Sequence, residues 1–65
     1  MRIRYFEDTD TLLIELRQIA AAETRDFDDD TVVDFDADGN VCAITLEHAS
    51  QRTALSQFSY ERVAA

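Results

Sequence analysis

The sequence predicts an α+β domain: an antiparallel β-meander of five or six short strands with one short helix near the C-terminus. Three observations predict it. Period-two alternation of apolar and polar residues recurs in short runs over most of the chain. Acidic, turn-forming clusters separate those runs. The chain's only glycine, Gly39, falls between the two clearest of them, in Asp36-Ala37-Asp38-Gly39-Asn40.

The elements follow in order. Residues 2–6 set Ile3 and Tyr5 against Arg2 and Arg4, the pattern of a strand with one wet face. Glu7-Asp8-Thr9-Asp10 is a polar turn. Residues 11–16 place Leu12, Ile14 and Leu16 on one face and Thr11, Leu13 and Glu15 on the other. Leu12, Leu13, Leu16, Ile19 and Ala20 also fit helical spacing with Thr9 or Asp10 as N-cap, and periodicity leaves strand and helix both open here. Residues 23–27 form a short polar strand, and Asp28-Asp29-Asp30 a turn. Residues 31–36 alternate Thr31, Val33 and Phe35 with Val32, Asp34 and Asp36. Beyond Gly39, residues 41–47 set Cys42, Ile44 and Leu46 against Ala43, Thr45 and Glu47. Residues 48–55 suit one or two helical turns. Phe58, Tyr60 and Arg62 then alternate with Ser59, Glu61 and Val63, which favours a last strand over an extension of the helix. Ile3, Tyr5, Leu12, Ile14, Leu16, Val33, Phe35, Ile44 and Leu46 are the expected core.

The order Arg2-Ile3-Arg4-Tyr5, Asp10-Thr11-Leu12-Leu13-Ile14-Glu15-Leu16, Val33-Asp34-Phe35-Asp36-Ala37-Asp38-Gly39-Asn40-Val41 and Ile44-Thr45-Leu46-Glu47-His48-Ala49-Ser50-Gln51-Arg52 resembles a widespread bacterial family of small proteins, domain of unknown function 2283. Its most specific piece is the Asp-x-Asp-x-Asp-Gly hairpin followed by a strand ending in Ala-Ser-x-Arg. The resemblance spans nearly the whole chain and implies a strand for residues 11–16 and a final short strand after the Ala-Ser-x-Arg turn. Leu13 stands where the family often has tyrosine, and Ala43 where it often has glycine. No activity is assigned to the family, so the resemblance implies no catalytic residues.

Sixty-five residues make one domain, residues 1–65. A chain this short buries only about 60% of the surface it exposes when unfolded, so an extra stabiliser is expected. Cys42 is the only cysteine and His48 the only histidine, which leaves neither an internal disulfide nor a zinc set. A homo-oligomer, with a dimer favoured, is the remaining stabiliser. Fourteen acidic residues against six arginines give a net charge of -8. That charge disfavours nucleic acid and anionic membrane as partners and suits a basic protein. No run approaches the roughly 20 apolar residues of a membrane span. The first eight residues lack a signal peptide's apolar stretch, and one free thiol makes the cytoplasm the expected compartment.

No catalytic residue and no cofactor is assigned. Asp34, Asp36 and Asp38, with Gly39 and Val41, match the opening of a calcium loop, but its closing glutamate position is Thr45 and its flanks read as strands. These three are weak metal candidates, and a β-hairpin accounts for them better. Asp26, Asp28, Asp29 and Asp30 read as a hydrated turn, because carboxylate pairs for acid–base work need fixed separation in a pocket. His48 and Ser50 lack the oxyanion hole of a nucleophile pair. Cys42 reads as a small buried hydrophobe. Arg2, Arg4, Arg52 and Arg62 read as partners for the many carboxylates, with a small anion site as the rival. Leu13, Val32, Phe58 and Tyr60 lie off the main apolar set and suggest a covered face or a subunit interface, the latter including Leu13 and Tyr60. The functional expectation is a non-enzymatic, self-associating interaction module. The alternatives are an antitoxin-like binder of a basic protein, or a weak cation-binding or metal-assisted enzyme.

Overall fold

The computed structural model describes residues 1–64. Each alternating run before residue 47 is a strand: β1 Arg2–Phe6, β2 Thr11–Glu15, β3 Glu23–Asp28, β4 Thr31–Phe35 and β5 Val41–Leu46. One short helix, α1 Ala49–Arg52, follows. All pairings are antiparallel, in a single sheet of order β1-β2-β5-β4-β3. The hairpin β1–β2 and the run β3–β4–β5 are therefore two blocks, joined where β5 zips against β2.

Register shows why the alternation matters. Ile3 pairs with Ile14, Ile14 with Ile44, and Ile44 with Val33, so one transverse row of branched side chains crosses four strands. Tyr5, Leu12, Leu46 and Thr31 form the neighbouring row on that face. The opposite face carries the rows Arg4, Leu13, Thr45, Val32 and Arg2, Glu15, Ala43, Asp34. Residues 11–16 are thus resolved as strand and not helix.

The hairpin about Gly39 closes on side-chain chemistry. Asp36 turns its carboxylate back into the turn, where Oδ1 accepts the backbone N–H groups of Asp38 and Asn40, each at 2.9 Å. Those bonds to the charged form hold its carboxyl below the usual carboxylate range, the Asn40 N–H being the largest cause. Gly39 has φ 84, a conformation that disfavours any Cβ even though open space surrounds the position. The ladder slips here, because Asp34 pairs with Ala43 and Phe35 with Val41, which leaves Cys42 as the extra residue of a bulge. On its other side, toward β2, the Cys42 carbonyl accepts the N–H groups of Leu16 and Arg17 at 2.9 and 3.2 Å. Cys42 itself is 1% exposed, the buried hydrophobe its sequence context predicted.

Two expectations are corrected. Residues 57–64 belong to no strand or helix, so the predicted sixth strand is absent and the helix does not extend. Alternation supplies a strand's face but not a ladder partner, and here the segment has none. The predicted core residues do share one face, yet among them only Leu12 is buried; Ile3, Tyr5 and Leu16 are exposed and the others half-buried. The other buried positions are Cys42, Ala43 and Ala49, with Thr31 and Asp36. The physical reason is that, among the described residues, no strand or helix forms a second layer over the sheet. The molecule measures 36 × 33 × 18 Å, a slab one sheet thick.

Candidate interaction surface

Two features at opposite scales compete for a functional reading: a polar bracket at one end of the sheet, and the apolar face itself.

The bracket ties three turns together. Asp10 ends the β1–β2 turn with φ 54, a left-handed conformation that aspartate tolerates better than most residues. From there Oδ1 accepts the Tyr5 hydroxyl at 2.7 Å and the Ser50 N–H at 3.0 Å. Oδ2 accepts the Ser50 hydroxyl at 2.7 Å, and the Asp10 carbonyl accepts the Ala49 N–H at 3.0 Å. Asp10 thus holds the first turn of α1 against β1 and β2, which is how Ala49 comes to be fully buried. The Tyr5 and then the Ser50 bonds hold its carboxyl below the usual range, and the same bond pushes the Tyr5 phenol up.

Asp30 does the same from the β3–β4 turn. Its carbonyl accepts the Glu47 N–H at 2.8 Å and the Arg52 guanidinium at 2.6 Å, and its carboxylate lies 2.9 Å from His48 Nδ1. Arg52 also donates to Thr31 Oγ1 at 2.8 Å. His48 sits at φ 55, turning the chain from β5 into α1. Ser50 and His48 therefore answer to different aspartates. The Ser50 hydroxyl is spent on Asp10, where it serves as a donor and not a nucleophile. The arrangement fastens secondary structure; it offers no general base aimed at an open position.

The remaining predicted site residues disperse. Asp34 accepts the Thr24 hydroxyl at 2.6 Å, Asp36 is turned into its own turn with Arg17 3.5 Å away, and Asp38 stays exposed. Among the described residues no group of three His, Cys, Asp or Glu side chains could hold a metal ion. Asp28 Oδ1 accepts the Asp30 N–H, which lowers its carboxyl as the turn's own hydrogen-bond acceptor. Arg2 and Arg4 share Glu15 at 3.1 and 3.2 Å, as cross-strand partners, and Arg52 lies elsewhere in the bracket. Arg52 is therefore apart from the Arg2–Arg4 pair. Sequence reasoning missed Asp10 and Asp30 as fasteners. The available signal was an Asp-Thr pair in which the aspartate closes a turn and the threonine opens a strand, in Asp10-Thr11 and Asp30-Thr31.

The apolar face is less finished. The segment after α1 crosses it, and Leu55 and Phe58 with Ile3, Tyr5, Leu12 and Ile14 line an open hollow of about 430 Å³. A second, of about 440 Å³, lies between Met1, Ile3, Phe58 and Tyr60. The covering is thin: Phe58, Tyr60 and Val63 remain 70%, 75% and 78% exposed. Leu13 lies in the Arg4 row, whereas Tyr60 lines a hollow with Ile3, a residue of the opposite face.

A family model described as "Protein of unknown function (DUF2283)" matches residues 2–50, which includes all five strands and the start of α1. No curated protein and no solved structure matches the chain. Among the described residues no helix is long and apolar enough to cross a membrane.

Proposed function

Because the chain belongs to the DUF2283 family, to which no activity is assigned, we propose from its surface alone that it is a self-associating interaction module whose apolar face is covered by a second copy. One observation carries the reading. The chain exposes 5201 Å², whereas a folded monomer of this mass exposes roughly 4,200 Å². The excess, about 1,000 Å², is close to the roughly 800 Å² that each partner buries in a standard stable interface. The radius of gyration of 13.0 Å also exceeds the roughly 10.7 Å of a compact chain of this length. A slab with Ile3, Tyr5, Phe58 and Tyr60 on one side has the shape of half of a two-layer structure. Pairing such faces about a two-fold axis is self-complementary and closes the assembly.

The two faces make opposite predictions. Ile3→Glu places a charge on the apolar face at an edge position already 38% exposed, so the monomer tolerates it while the interface does not. Leu13→Glu places the same charge on the arginine-bearing face, beside Arg4. In light scattering coupled to size exclusion, Ile3→Glu is expected to run at monomer mass and Leu13→Glu at dimer mass. Dimer mass for both variants sinks the assignment of the face.

A further inference from the structure

We propose, resting on the self-association reading, that residues 57–63 form a sixth strand on the β1 edge of the second copy. Four observations converge on it.

The segment carries a strand pattern without a ladder. Phe58, Tyr60 and Arg62 alternate with Ser59, Glu61 and Val63, and the backbone is in no element. The edge has the complementary lack: β1 is hydrogen-bonded to β2 alone and stands at the end of the sheet. An unpaired edge and a strand-patterned segment without a partner are the two halves of strand addition.

The side chains match once they are laid together. With Phe58 and Tyr60 on the face of Ile3 and Tyr5, alternation puts Ser59 and Glu61 on the face of Arg2 and Arg4. Those two arginines share a single carboxylate, Glu15. Glu61 supplies a second, cross-strand to Arg4. The alternatives lack this match. Pairing β1 with β1 sets Arg2 and Arg4 against their own copies, and the other edge, β3, carries Asp26 and Asp28.

The second copy is the acceptor because the segment's own copy already uses it otherwise. Within one chain, Leu55 and Phe58 line a hollow with Ile3, Tyr5, Leu12 and Ile14, side chains of the apolar face, and the segment makes no ladder with β1. The turn at Ala54–Gln57, closed by the Gln57 N–H to the Ala54 carbonyl at 3.1 Å, holds it there. One copy cannot supply both the cover and the sixth strand. Opening that turn releases the arm to the neighbour, and the vacated face closes on the partner's sheet, a reciprocal exchange.

Cysteine cross-linking separates the possibilities. In a Cys42→Ala background, one chain carries Arg4→Cys and another Glu61→Cys; both positions are exposed, and losing one exposed ion pair weakens pairing little. The two chains are mixed, equilibrated and oxidised. The expected result is a mixed covalent dimer on a non-reducing denaturing gel, at least tenfold above the yield with Asp26→Cys replacing Arg4→Cys. The sedimentation mass of the same unoxidised mixture is read alongside. A dimer whose Arg4–Glu61 yield does not exceed the Asp26 control overturns the strand exchange and leaves self-association standing. A monomer overturns both. An Arg4→Cys/Glu61→Cys double variant that closes only within one chain assigns the strand to its own copy and also overturns the exchange.

Discussion

Ile44→Ala is expected to remove most of the protein's stability. Ile44 sits on β5, the strand that joins the β1–β2 hairpin to the β3–β4 pair, and it faces Ile14 on one side and Val33 on the other. Truncating an isoleucine in a packed position costs about 2–5 kcal/mol, and the half-buried setting places this site near the lower end. A core of this size supplies only roughly 3–5 kcal/mol in total. Urea denaturation followed by far-ultraviolet circular dichroism should show the midpoint moved to very low urea or lost. Ile44→Val, which keeps the β-branch, should cost about 0.5–1.5 kcal/mol. Equal, small effects of the two would mean that the row Ile3–Ile14–Ile44–Val33 does not join the two blocks.

Asp10→Ala is the second large effect, and it has a pH signature. One side chain holds Tyr5 and both the hydroxyl and N–H of Ser50, and alanine also tolerates φ 54 poorly. A Tm lowered by on the order of 10 °C is expected. Asp10→Asn keeps the backbone preference and an acceptor oxygen and should fall between. The folded-state pKa of Asp10 is depressed. Its charged form therefore stabilises the fold fully above the unfolded-state value of about 3.9, and that contribution is lost as pH falls through the lower folded value. The Tm gap between the parent protein and Asp10→Asn should shrink between pH 6 and pH 2.5. The Tyr5 phenol, pushed up by the same bond, has the opposite sign: its contribution is complete below about pH 10 and is lost above the raised value. A gap that stays constant down to pH 2.5 would show that the Asp10 carboxylate charge does not fasten α1.

The strands were readable because each is short, one-sided and bounded by turn chemistry, and the hairpin at Asp36–Asn40 because Gly39 marks the one residue that needs φ 84. Strand order was not readable. Alternation assigns faces, but the seating of β5 between β2 and β4 depends on pairings such as Ile14–Ile44, which leave no local trace. The bracket was hidden for a related reason: Asp10 and Ser50 are 40 residues apart, and each alone looks like an ordinary turn residue. Residues 57–63 misled in the reverse direction. Their alternation is a true property of the segment, and within one chain no edge answers it. The core was overestimated because a period-two pattern tells which side chains share a face and not what lies on top of them.

What lies on top is the central claim. Sedimentation equilibrium of the unmodified chain, across micromolar loading concentrations, tests it most directly. The account predicts a mass of twice 7.4 kDa that dissociates on dilution. A single species of 7.4 kDa at every concentration contradicts it.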